Sequence, residues 1–224
     1  MTRFCALVGA DGAGKSYLAD QIARHLTDTG RSDVVVAAKD QPFDGGSLAA
    51  ARLLGMHRLT WSYPNDEEVW AYPREYWLYQ IMAWFTLFYE QEVQPALERG
   101  AIVVTDGWHF KHHARFRLAP DPNLVALADQ LFARLFQPDL VLLLDTPANI
   151  AAARKAGTSK PSEHGAFDTG SGTLDPADMA AFHHAQSTAL NGVLANHPAT
   201  LLRMEHTITP AEALALITEA RRSR

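Results

Sequence analysis

Gly9, Gly14, Lys15 and Ser16, in the stretch "GADGAGKS" (9–16), have the spacing G-x-x-x-x-G-K-[S/T]. Each residue type in that pattern has a chemical use. Glycines at 9, 12 and 14 let the backbone turn tightly and aim its N–H groups inward, so a phosphate sits among amide donors at the positive end of a helix. Lys15 is placed to bridge the β- and γ-phosphates of ATP, and the Ser16 hydroxyl to meet Mg²⁺. Asp11, Ala13 and Tyr17 complete the expected surroundings of the nucleotide. Asp106, closing "AIVVTD", is the carboxylate expected beside the metal. Two plainer readings stay open: Asp11 as a loop-capping acid, and Asp106 as a turn acid at a strand end.

The flanking elements lend the loop its meaning. "RFCALV" reads as a short buried strand. The run after Lys15 has Leu18, Ala19, Ile22, Ala23 and Leu26 at helical spacing. Strand, glycine loop and helix in that order are the context in which the motif binds nucleotide. Further strands are expected at 33–38, 101–105, 140–144 and 199–204, all apolar without alternation, as in a parallel sheet covered on both faces. The fold class that follows is α/β, a P-loop kinase-like three-layer αβα sandwich on a five-stranded parallel sheet.

Helix signals lie between the strands. Thr146 is expected as an N-cap with Pro147 behind it and Gly157 beyond the end; Asp175 and Pro176 repeat the device. Thr209 and Glu212 read as a capping box. A long helix is expected over 74–99, kinked by Pro95. The Gly-, Ser- and Thr-rich segment 157–172 is too long for a turn and is expected to be a mobile lid within one domain spanning 1–224.

The 224 residues, 47% hydrophobic and 20% charged, suit one domain with a single sizeable core. The net charge of −5 argues against a nucleic-acid polymer as partner, because phosphate backbones select basic surfaces. Apolar runs fall short of a membrane span, and no signal peptide is visible, so a cytoplasmic location is expected. The lone Cys5 reads as a small buried side chain. No guanine-reading Asn-Lys-x-Asp motif occurs, which disfavours a GTPase. A kinase acting on a small molecule leads, with a regulatory ATPase as the rival.

"GADGAGKS", "VQPALERGAIVVTD" and "PDLVLLLDTPANIAAARKAG", with Glu163 in a short lid, together resemble thymidylate kinases up to about residue 196. The resemblance implies phosphoryl transfer from ATP to a nucleoside monophosphate. It implies that Asp11 lies near the acceptor's sugar and Asp106 at the junction of metal and acceptor phosphate. It also implies lid cations closing over the transferring group, for which Arg154, Lys155 and Lys160 are available. For Arg154 and Lys155 a solvated helix end fits equally well. The resemblance is compatible with a homodimer.

The departures fall on the acceptor. Gly107 and Phe85 stand where the family has arginines for the acceptor phosphate, Lys111, Arg115 and Phe116 where it reads thymine, and Lys160 and Pro161 where its lid carries an aspartate-arginine pair. Arg74, Lys111, Arg115 and Arg117 are the candidate replacements. A nucleoside acceptor without phosphate is therefore the alternative reading. Trp77, Trp84 and Trp108 could stack a base, with Gln80 at its edge, although the Trp77-Ile81-Trp84-Phe88 spacing is first a packing stripe. His109, His112 and His113 have no accompanying cysteine or carboxylate pattern for a zinc site.

Overall fold

The computed structural model describes residues 3–39, 47–62, 68–169 and 175–222. Among them five parallel strands make one sheet: β1 (Phe4–Val8), β2 (Val34–Ala37), β3 (Ile102–Thr105), β4 (Leu140–Asp145) and β5 (Thr200–Glu205), in the order β2-β3-β1-β4-β5. The helices are α1 (Lys15–Asp28), α2 (Leu48–Trp61), α3 (Arg74–Phe88), α4 (Gln94–Glu98), α5 (Phe110–Phe116), α6 (Pro122–Phe132), α7 (Ala148–Lys155), α8 (Ala166–Thr169), α9 (Pro176–Ala195) and α10 (Pro210–Arg222).

The unbroken apolar strands are sorted by the pleat. Phe4, Ala6, Val8, Val103, Val141 and Leu143 face the larger core, shared with α2–α6 and α9. Cys5, Leu7, Ile102, Val104, Leu140 and Leu142 face the smaller one, under α1 and α10. Sheet and two helical layers give the αβα sandwich, and burying each Leu, Ile or Phe fully contributes about 1.5–3 kcal/mol. The central β1 pairs with β3 on one side, Ala6 opposite Thr105, and with β4 on the other, Val8 opposite Leu143. The chain leaves β1 toward β2 and later crosses past β1 to reach β4. The carboxyl ends of β1 and β3 flank that reversal, where open α/β sheets take their ligands.

Local sequence explains most element ends. The Asp175 carboxylate accepts from the Ala177 N–H, and Thr209 and Glu212 exchange capping bonds, as expected. Thr146 is a correction. It does not cap α7, whose cap position is Pro147; its hydroxyl instead donates to the Ala13 carbonyl at 3.1 Å, tying β4 to the glycine loop. The expected kink near Pro95 takes the form of a π-helical turn, Tyr89–Val93, between α3 and α4, with the Gln94 N–H reaching back to the Tyr89 carbonyl. Pro95 then sits in the first turn of α4, where its missing N–H costs nothing.

Candidate active site

The loop between β1 and α1 is built from backbone. Gly12 and Gly14 hold φ +79° and +99°, a region that disfavours side chains, and a Cβ on Gly12 would lie 2.2 Å from the Ala151 carbonyl oxygen. Only glycine fits there, because the loop is pressed against α7. No side chain caps the N-terminus of α1, and its first turn carries no acid, so its amides are left to face an anion. Lys15 Nζ donates to the carbonyls of Gly9 and Ala10 at 3.0 and 2.7 Å, across the mouth of the loop. Burial lowers its pKa to about 8, against the raising influence of Asp11.

The Ser16 hydroxyl donates to Asp106 Oδ2 at 3.1 Å, and the Lys39 backbone N–H donates to Oδ1. Asp106 is 2% exposed. A hydroxyl and a carboxylate so paired at the loop are hard oxygen donors suited to Mg²⁺, which takes one or two protein oxygens and completes its shell with phosphate and water. Ser16 and Asp106 therefore fit the metal, and the glycine loop with Lys15 fits a triphosphate.

Across the same cleft α5 presents two cations to Asp11. Lys111 Nζ lies 2.7 Å from Oδ1 and Arg115 Nη2 2.5 Å from Oδ2. Burial alone would raise the Asp11 carboxyl, but Lys111, Arg115 and Lys15 hold it well below the usual carboxylate range. Burial lowers Lys111 to about 7 although Asp11 opposes it. The Arg115 guanidinium also lies over the Phe182 ring, 5.7 Å from its centre.

The segment expected as a lid is wound, not loose, as far as residue 169; 170–172 lie outside the described residues. Ser159, Ser162, Glu163 and His164 are buried. Glu163 accepts from the Lys160 backbone N–H at 3.0 Å and pairs with Lys155 at 3.1 Å. The segment is tied across the cleft, since Lys160 Nζ donates to the Trp61 carbonyl of α2 and Arg74 of α3 donates to the Phe167 carbonyl of α8. The cleft so enclosed measures about 590 Å³. Lys15, Lys39, Arg74, Lys111, Arg115, Arg154, Lys155 and Lys160 line it against the acids Asp11 and Glu163, an environment for a highly anionic occupant.

Of the residues singled out in the sequence, Asp11, Gly12, Gly14, Lys15, Ser16, Tyr17, Trp77, Arg115 and Arg154 line this cleft. Gly9 and Ala13 shape the loop, whose Gly12 and Ala13 carbonyls each lie 3.4 Å from Arg154 Nη1. Trp84 and Trp108 are corrections. Trp84 is fully buried, stacked on Phe88 at 4.6 Å, and Trp108 packs edge-on against Phe4 and Phe85 while its indole N–H binds the Phe136 carbonyl. Both are core, Trp84 as the packing stripe required. Gln80 lies behind the cleft wall, bonded to Tyr76 and Thr60. Arg117 leaves the cleft to pair with Asp129 at 2.9 Å.

The three histidines diverge. His109 contacts Gln137, His113 contacts Asp129, and His112 lines the cleft beside Trp61 and Phe85. Among the described residues no group of three or more His, Cys, Asp or Glu side chains is arranged to hold a metal. Sequence reasoning missed Lys39, and with it His57, Thr60 and Trp61 of α2. Lys39 follows β2 as Asp106 follows β3, a strand-end position that could have flagged it.

A thymidylate kinase family model matches residues 7–169 of the chain. A thymidylate kinase from Dinoroseobacter shibae is 34% identical over 169 residues, covering 74% of each sequence. One from Chromobacterium violaceum is 30% identical, over 71% of this chain and 70% of its own, and one from Cupriavidus necator 31%, over 71% and 73%. Among the described residues no helix is long and apolar enough to cross a membrane.

Proposed function

The chain belongs to the thymidylate kinase family, and from that premise we propose that it transfers the ATP γ-phosphoryl group to a nucleoside monophosphate gripped by Lys111 and Arg115. It is an ATP-dependent nucleotide kinase that works with Mg²⁺. The observation that carries the acceptor assignment is the pairing of Lys111 and Arg115, on the α5 wall of the cleft, with Asp11 of the glycine loop.

In this reading the loop amides and Lys15 hold the triphosphate, and Ser16 and Asp106 hold the metal. When bound, Mg²⁺ neutralises charge on the transferring phosphoryl group. An acceptor phosphate oxygen forms a bond to the γ-phosphorus as the bond to the β–γ bridging oxygen breaks, with ADP leaving. Lys111 and Arg115 aim that oxygen, and Asp11 keeps both cations in place before the acceptor arrives. Arg154 and Lys155 at the end of α7, with Lys160 on the segment 157–172, close over the group and exclude water. We read the segment as a lid of a single domain in a cytoplasmic protein, with Trp77 as the wall for the acceptor's base. A homodimer accords with the family and is tested by its sedimentation mass.

A nucleoside without phosphate is the second reading. Phe85, 3% exposed among Trp84, Trp108 and His112, and Gly107 supply no cation where the family grips an acceptor phosphate. Incubation with Mg-ATP and a panel of nucleoside monophosphates and nucleosides, read by mass spectrometry, decides between them. Nucleoside diphosphate product is expected. Monophosphate product from a nucleoside would reverse the assignment, and ADP release indifferent to every acceptor would point to a regulatory ATPase.

A further inference from the structure

Helices α5 and α9 meet along a seam behind the acceptor wall, and several buried polar atoms of these two helices have no partner among the described residues. Among the described residues, both ring nitrogens of His183, both polar atoms of the Gln186 carboxamide, and Arg115 Nε are buried without a hydrogen-bond partner. His183 and Gln186 are themselves 0% exposed. They sit three residues apart on α9, so they share one face. Gln186 is also one turn beyond Phe182, whose ring carries the Arg115 guanidinium.

These groups complement one another through water. Arg115 Nε–H can only donate; a neutral imidazole donates once and accepts once; a carboxamide donates twice and accepts at its oxygen. Burial lowers the His183 pKa, so the neutral ring is the form present, with Asp11, Arg115, Glu163 and His164 the charged or titratable groups acting on it. A water molecule accepts from an Nε–H such as that of Arg115 and donates to an imidazole nitrogen and a carboxamide oxygen such as those of His183 and Gln186. Internal waters occupy buried polar sites of this kind, with about three hydrogen bonds each.

We propose that His183 and Gln186 are positioning residues, holding through buried water the Nε edge of Arg115 so that its guanidinium stays on Asp11 and faces the acceptor. The inference rests on the acceptor role of Arg115 for its catalytic consequence, but not for its structural one. Arg115 thereby has a fixed partner on each edge, Asp11 at Nη2 and the α9 socket at Nε. An arginine immobilised in this way loses less entropy on gripping a ligand than one free in solvent.

The test uses the full chain labelled with ¹⁵N-arginine, the Arg115 Nε–H resonance being assigned by its loss in Arg115→Lys. In the unaltered protein that proton is expected to exchange slowly and to show magnetisation transfer from bound water. His183→Leu and Gln186→Leu should shift the resonance and speed exchange at least about tenfold, and His183→Gln should restore part of the protection. With dTMP as acceptor, both leucine variants should raise the dTMP KM about tenfold, the loss of one charge-assisted hydrogen bond, and leave the ATP KM within twofold. If a leucine variant does not fold, Gln186→Met, close in shape, carries the same test. An Arg115 resonance and exchange rate unchanged in the variants would overturn the proposal. If they change while Arg115→Ala leaves the dTMP KM untouched, the socket stands and the acceptor reading fails.

Discussion

The two ends of the cleft are built by different means. At the donor end the glycine loop presents backbone: positive φ at Gly12 and Gly14, no room for a Cβ at Gly12, and an uncapped helix start at α1. Side chains there come from neighbours in sequence, Lys15 and Ser16, with Asp106 brought in by strand pairing of β1 and β3. At the acceptor end little is backbone. Lys111 and Arg115 reach Asp11 across 100 and 104 residues of chain, Arg74 comes from α3, and Lys160 from the segment over the cleft. A backbone cradle tolerates few substitutions and keeps its ligand. A side-chain clamp can be moved one residue at a time, and the proposed grip by Lys111 and Arg115 would be such a move.

Substitutions at the two ends should therefore fail differently, the donor end most severely. Lys15→Ala is expected to lower kcat by about 10²–10³-fold with any acceptor, since it removes a preorganised cation from the transferring phosphate; steady-state rates with Mg-ATP check this. Gly12→Ala should lower the melting temperature by at least about 2–4 °C through left-handed strain alone, and weaken ATP binding as the loop is pushed from α7. Calorimetry of the unliganded protein and nucleotide titration read the two effects separately. At the acceptor end the expected signature is a pH dependence. Lys111, lowered to about 7 by burial, is charged below that pH and neutral above it. A phosphate bound beside it favours the charged form, so acceptor binding takes up a proton above pH 7. Acceptor KM should rise toward tenfold per pH unit there, and Lys111→Arg should flatten the rise.

That contrast also explains what the sequence disclosed. The loop, the five strands and the caps at Asp175 and Thr209 were legible because each is local: a motif, an apolar run, a polar residue before a proline or glutamate. Thr146 misled because its hydroxyl is spent on the Ala13 carbonyl across the sheet, a contact no local pattern encodes. Helix α2 gave no single apolar stripe, with Leu48, Leu54 and Leu59 all exposed, so His57, Thr60 and Trp61 went unseen. Trp84 and Trp108 had the composition of a stacking platform; the spacing of Trp84 already marked core, while nothing local marked Trp108, and packing prevailed at both. The Gly-, Ser- and Thr-rich composition of the segment 157–172 pointed to a mobile lid. Among the described residues, its buried Ser159, Glu163 and His164 are partnered within the segment and by Lys155 of α7 and the Asp175 carbonyl at the start of α9.

In the proposed function Arg115 serves the acceptor and not ATP. Arg115→Ala isolates it, because Lys111 remains to neutralise Asp11 and keep the loop intact. Separate titrations of dTMP and of a non-hydrolysable ATP analogue should show dTMP binding weakened about 10–100-fold, as for the loss of a charged hydrogen bond, with the analogue within twofold. An unchanged dTMP affinity, or an equal loss for both ligands, would contradict it.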